Sequence, residues 1–123
     1  FEEIEKRRND EVFGENHLVH GDFNPTNILI NGGEVSGVLD WEWSHSGIPY
    51  MDIGNLLRNT EYSYHNKIKR GLKKGGMILP DDWIRRAEYI DLSSHLEFLT
   101  SNRSNDFKRK CVKWINNFIS KYS

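Results

Sequence analysis

Asn31-Gly32-Gly33 sits between two short apolar runs, 27–30 and 35–39. Asn and Gly accept positive φ at little cost, so the triplet specifies a tight turn and its flanks a β-hairpin. A turn centred there fixes the register, and by that register Asn27 and Asp40 lie at the open end, about two positions from directly opposite. Asp22 lies in the loop that feeds the first strand. Three polar side chains therefore converge through local geometry alone.

These three residue types suit one chemistry. Asp22 can take a proton from an attacking hydroxyl. Mg²⁺ prefers hard oxygen ligands, which the Asn27 carbonyl and the Asp40 carboxylate supply. They belong to His20-Gly21-Asp22-Phe23-Asn24-Pro25-Thr26-Asn27 and Val38-Leu39-Asp40-Trp41. Pro25 stiffens the loop by fixing φ, so that Asp22 and Asn27 face one site. An Asp, an Asn a short loop later and a strand-end Asp form the set that phosphoryl transfer from ATP uses. His17 and His20 lack the third ligand that zinc needs. Asp52 starts a helix, as its N-cap or as a brace for the loop. Trp41 and Trp43 read as packing residues, and Glu42 as solvent-facing or metal-touching.

The remainder reads as helix. Residues 1–12 resemble a helix tail, stopped by Gly14-Glu15-Asn16. Residues 63–80 are interrupted by Gly71, Gly75, Gly76 and Pro80 and stay undecided. Asp81 or Asp82 opens a helix through Trp83, Ala87 and Ile90 to Leu99. Asn105 or Asp106 opens the last, whose Phe107, Cys111, Trp114, Ile115, Phe118 and Tyr122 recur at helical spacing. The expected fold is mainly α with a small β-hairpin.

A net charge of −1 excludes a basic nucleic-acid footprint. The basic run at 67–74 reads as a solvated face. No apolar stretch is long enough for a bilayer, so no membrane partner is expected. Cys111 is the sole cysteine and permits no intrachain disulfide, which fits a reducing, cytoplasmic setting. It reads as a small core residue. The start, Phe-Glu-Glu-Ile, reads as a cut through something longer.

Three stretches carry a resemblance: His17-Leu18-Val19-His20-Gly21-Asp22-Phe23-Asn24-Pro25-Thr26-Asn27-Ile28-Leu29-Ile30, Gly37-Val38-Leu39-Asp40-Trp41-Glu42, and Ile48-Pro49-Tyr50-Met51-Asp52-Ile53-Gly54-Asn55-Leu56. Their order and separation resemble the aminoglycoside phosphotransferase and choline kinase family, relatives of protein kinases. The resemblance implies that residues 1–123 form the C-terminal lobe of a protein-kinase-like phosphotransferase fold. It implies Asp22 as catalytic base and Asn27 and Asp40 as ligands of Mg²⁺ with the ATP phosphates. Asp52 would brace the catalytic loop, and His20 would support it. Gly21 replaces an Arg that protein kinases use to read a phosphorylated loop, and the stretch from Asp40 to Asp52 is too short for such a loop. A small-molecule hydroxyl is thus the expected acceptor.

Relatives that modify aminoglycosides line this site with carboxylates, and Glu61, Asp81, Asp82, Glu88, Asp91 and Glu97 are candidates. Choline kinases use aromatic and acidic groups, which are also present. A cationic acceptor is thus among the expectations, with neither sort favoured. The nucleotide-binding lobe is expected from the same protein, and this chain alone is expected to be inactive. The competing readings are a non-enzymatic truncated product or binding module, and a protein kinase.

Overall fold

A computed structural model describes residues 15–123. The expected 1–12 helix and the Gly14 stop lie outside the described residues. Strand β1 (His17–Val19) leads into the His20 loop, and strands β2 (Ile28–Asn31) and β3 (Glu34–Val38) form the hairpin. Strand β4 (His45–Gly47) precedes helices α1 (Tyr50–Arg58), α2 (His65–Lys74), α3 (Trp83–Leu99) and α4 (Asn105–Tyr122). The chain is mainly helical, as its periodicities require, with two small antiparallel sheets.

The hairpin turns through Gly32 and Gly33, at φ 60° and 80°. Asn31 pairs with Glu34 and Ile30 with Val35, but Leu29 pairs with Gly37. Ser36 is therefore the extra residue of a β-bulge. The bulge advances the return strand by one residue, so the Asn27 carbonyl accepts the Leu39 N–H at 2.8 Å and Asp40 follows at once. Asn27 itself belongs to a 3₁₀ turn, Pro25–Asn27, rather than to the strand.

A second sheet forms from the stretch after Asp40, which carries no strand signal in sequence. After a 3₁₀ turn at Trp41–Trp43, β4 pairs with β1, with Val19 opposite His45 and His17 opposite Gly47. Strands of three residues carry no periodic signal, and only the pairing defines them. Val19 is fully buried beneath them.

Residues 63–80 resolve into a 3₁₀ turn at Tyr62–Tyr64 that runs into α2. Helix α3 starts after Asp82, whose carboxylate accepts from Arg86 Nε at 2.8 Å instead of capping the backbone. Helix α4 is capped one residue earlier than expected, by Ser104 Oγ accepting the Phe107 N–H at 3.2 Å. Asp52 is not an N-cap: that position is Pro49, and Asp52 lies in the first turn.

The core lies between α1 and α3, where Tyr50, Ile53, Leu57, Trp83 and Ala87 are buried together. Gly54 lets the two helices approach: a Cβ there would meet the Ala87 carbonyl oxygen at 2.7 Å. Helix α4 closes on α3 with its aromatic face. His95 stacks on Trp114 at 3.7 Å, and Trp114 on Phe118 at 5.6 Å. Cys111 is the fully buried residue of that face. No helix among the described residues is long and apolar enough to cross a membrane.

Candidate active site

The loop 20–27 is held from two sides. The Asp52 carboxylate, on α1, accepts the backbone N–H of His20 at 2.8 Å and of Gly21 at 3.0 Å. From the hairpin side, the buried His20 ring bonds the Leu39 carbonyl through Nε2 at 2.6 Å and accepts the Asp22 N–H at Nδ1, 3.1 Å away. A carbonyl only accepts and an N–H only donates, so the proton sits on Nε2. The Trp41 ring packs edge-on against the imidazole, with centroids 4.6 Å apart. Gly21 has φ +89°, and a Cβ there would lie 2.6 Å from the Trp43 carbonyl oxygen. Position 21 therefore admits no side chain, Arg included.

Both oxygens of the Asp22 carboxylate are engaged. Oδ1 accepts from Asn24 Nδ2 at 3.0 Å and Oδ2 from Asn27 Nδ2 at 3.1 Å. Asn27 Nδ2 also donates to the Asp22 carbonyl at 2.9 Å. The bonds formed by the Asn27 side chain all use its nitrogen, and its carbonyl oxygen stays available as a ligand. Asn24 is the residue that sequence reasoning missed. Its Oδ1 accepts from the Thr26 N–H and hydroxyl, and its amide turns onto Asp22. An Asn two residues before Thr26 and next to Pro25 is an Asx-turn signal, which could have flagged it.

Asp40 has φ 62° and ψ 62°, and among the described residues no other non-glycine has positive φ. Its carboxylate is exposed and forms no hydrogen bond or ion pair with a described residue. A residue held in a sparsely populated backbone region with a free carboxylate is the kind of strain that gathers at functional sites. The structure thus brings Asp22, Asn27, His20 and Asp52 into one hydrogen-bonded network and sets Asp40 directly after its Leu39 link. His17 pairs away on β1, opposite Gly47. Trp41 and Trp43 are exposed, 47% and 65%, and Glu42 between them is exposed too. Full packing of the two Trp rings is thereby corrected, although the Trp41 Nε1–H still donates to the Val38 carbonyl at 2.8 Å.

A cleft of about 380 Å³ opens beside Asp22 and Asn24 and runs between α1, α3 and α4. Arg58, Phe98, Arg103, Phe107, Lys110 and Trp114 also line it. Beneath it, buried Asp91 lies 3.5 Å from Arg58 Nη1. Burial pushes the Asp91 carboxyl up to about 6, against the pull of Arg58. Burial also lowers the pKa of His95, whose Nδ1–H donates to the Asp91 carbonyl at 2.9 Å.

A family model described as the phosphotransferase enzyme family, APH, matches residues 1–88. The chain belongs to this family. No curated protein and no solved structure matches it significantly. In this phosphotransferase-family chain the matched stretch contains the whole hydrogen-bonded loop, the hairpin and α1. It ends inside α3, so Phe98, Arg103 and all of α4 lie beyond it.

Proposed function

We propose that the chain carries the base and metal-binding part of an ATP-dependent phosphotransferase that acts on a hydroxyl of a small molecule. One observation carries the reading: the Asp22 carboxylate lines a cleft and is fixed by two side-chain amides, one of them from Asn27, whose backbone carbonyl accepts the N–H of Leu39, the residue before Asp40. The two amide bonds orient the Asp22 carboxylate. An acceptor hydroxyl in the cleft would be oriented by Asp22 and would give up its proton there as its oxygen bonds the γ-phosphorus and the bond from that phosphorus to the bridging oxygen breaks, releasing ADP.

The donor set fits Mg²⁺. The Asn27 amide oxygen and the Asp40 carboxylate are hard oxygens, and neither is consumed by a described protein partner. When bound, Mg²⁺ supplies neutralisation of the charge on the phosphate oxygens. Among the described residues nothing forms a sheet with a phosphate-contacting Lys. The proposal therefore assigns that lobe to the rest of the protein and expects no turnover from the 123-residue chain alone. The steric exclusion of a side chain at Gly21 supports a small acceptor over a phosphorylation-regulated protein kinase.

The test is Asp22→Asn in the full-length protein, which keeps the shape and removes the base. Turnover should fall about 100- to 10,000-fold with ATP binding retained. Near-normal turnover rejects the role.

A further inference from the structure

The cleft has a charge balance of its own. Its lining contains one carboxylate, Asp22, and three cations, Arg58, Arg103 and Lys110. No carboxylate pairs with Arg103 or Lys110 among the described residues. Arg58 has one, Asp91, but its Nη1 is a buried atom without a hydrogen-bond partner.

The aromatic faces are already taken. The Arg103 guanidinium lies over Phe98 at 4.7 Å and over Phe107 at 4.6 Å, and Arg58 lies over Phe98 at 5.2 Å. An ammonium ligand would compete with the protein's own cations for those faces and meet like charge. The carboxylates that a polycationic acceptor requires are elsewhere. Asp82 is paired with Arg86, and Glu88 with Lys121 and Tyr122. Neither these nor Glu61, Asp81 or Glu97 line the cleft.

We propose that the acceptor carries an anionic group, a carboxylate or a phosphate, held by Arg58, Arg103 and Lys110 while its hydroxyl reaches Asp22. The proposal rests on the reading of Asp22 as base and deepens it by naming the substrate class. Guanidinium groups match carboxylate and phosphate oxygens with paired N–H donors. A cleft of about 380 Å³ suits a hydroxy acid or a sugar phosphate.

Titration calorimetry on the full chain tests it with five probes: gluconate, glucose 6-phosphate, glucose, choline and kanamycin. At least one of the two anions should bind about tenfold or more tighter than glucose, and added salt should weaken it. Which anion binds better separates the carboxylate from the phosphate. Choline and kanamycin should bind no better than glucose. Arg103→Ala and Lys110→Ala, both at exposed positions, should each weaken the anion about tenfold. Tighter binding of choline or kanamycin, anion binding unchanged in the double variant, or no anion binding at millimolar concentration overturns the proposal. Asp22→Asn separates the two readings. Anion binding should persist in that variant of the chain even as turnover is lost in the same variant of the full-length protein, whereas retained turnover there would reject the base and leave the binding result standing.

Discussion

Asp52 holds His20 by its backbone: the carboxylate accepts the His20 N–H at 2.8 Å across more than thirty residues of chain, and its second oxygen takes the Gly21 N–H. Helix α1 and the loop before Asp22 are thus one mechanical unit. Hydrogen bonds to a charged group contribute about 1.5–3 kcal/mol each. Asp52→Ala should therefore lower unfolding free energy by roughly 3 kcal/mol or more, and Asp52→Asn by less, because one acceptor oxygen survives. Urea unfolding of the two variants gives the order, and an Ala variant as stable as the parent contradicts the brace.

Gly21 is fixed by conformation and by space. Gly21→Ala places a Cβ at positive φ and 2.6 Å from the Trp43 carbonyl oxygen. The strain alone costs about 1–2 kcal/mol, and the overlap adds to it. A melting temperature within a degree or so of the parent would show that the loop relaxes freely.

Two helical glycines should respond with opposite signs. Gly54→Ala would press a methyl group into the Ala87 carbonyl oxygen at 2.7 Å and the Asp91 Cβ at 2.9 Å, and should destabilise by about 1–3 kcal/mol. Gly71→Ala meets nothing within 4 Å on α2 and should stabilise by about 0.5–1 kcal/mol. Denaturation midpoints for the pair decide it, and equal signs would refute the close approach of α1 and α3.

Asn24 holds the proposed base, Asp22, through its side-chain amide and also lines the cleft. Asn24→Ala removes the Nδ2 bond to Asp22 Oδ1 and leaves the Asn27 bond in place. In the full-length protein kcat should drop about tenfold with KM little changed, since a misplaced base affects the chemical step more than binding. A KM effect with kcat intact would assign Asn24 to acceptor binding rather than to positioning Asp22.

Asp91 predicts a pH dependence of stability. Burial raises its carboxyl to about 6 from an ordinary 3.8, so the folded state binds the proton more tightly than the unfolded chain. The associated stability, about 3 kcal/mol, is fully present below about pH 4 and is lost as pH rises through about 6. Asp91→Asn should remove that slope. Unfolding free energies of parent and variant from pH 3.5 to 7 give a difference curve, and a flat one counts against the shift.

Local signals made much of this legible. Asn31-Gly32-Gly33 sets the turn because its residues tolerate positive φ. The recurring Phe107, Cys111, Trp114 and Phe118 set α4 and its apolar face because a helix repeats every few residues. The loop motif placed Asp22 beside Asn27 because one stiff turn separates them. These features depend on neighbours in sequence, and the sequence suffices for them.

Other features depend on which distant surfaces meet. Strands β1 and β4 exist only as a pair. The Ser36 bulge, which carries Asp40 to the end of the Asn27–Leu39 link, follows from the pairing and not from composition. The sequence held enough carboxylates and aromatics for a cationic acceptor. Packing of α4 on α3 put Glu88 on Lys121 and Tyr122, and tertiary packing placed Arg58 and Arg103 over the aromatic rings. The sequence by itself determined the turn, helices α1, α3 and α4 and the meeting of Asp22 with Asn27, because those are short-range. Only the tertiary structure decided the bracing of the loop and the charge of the cleft, because both are sums over groups far apart in the chain.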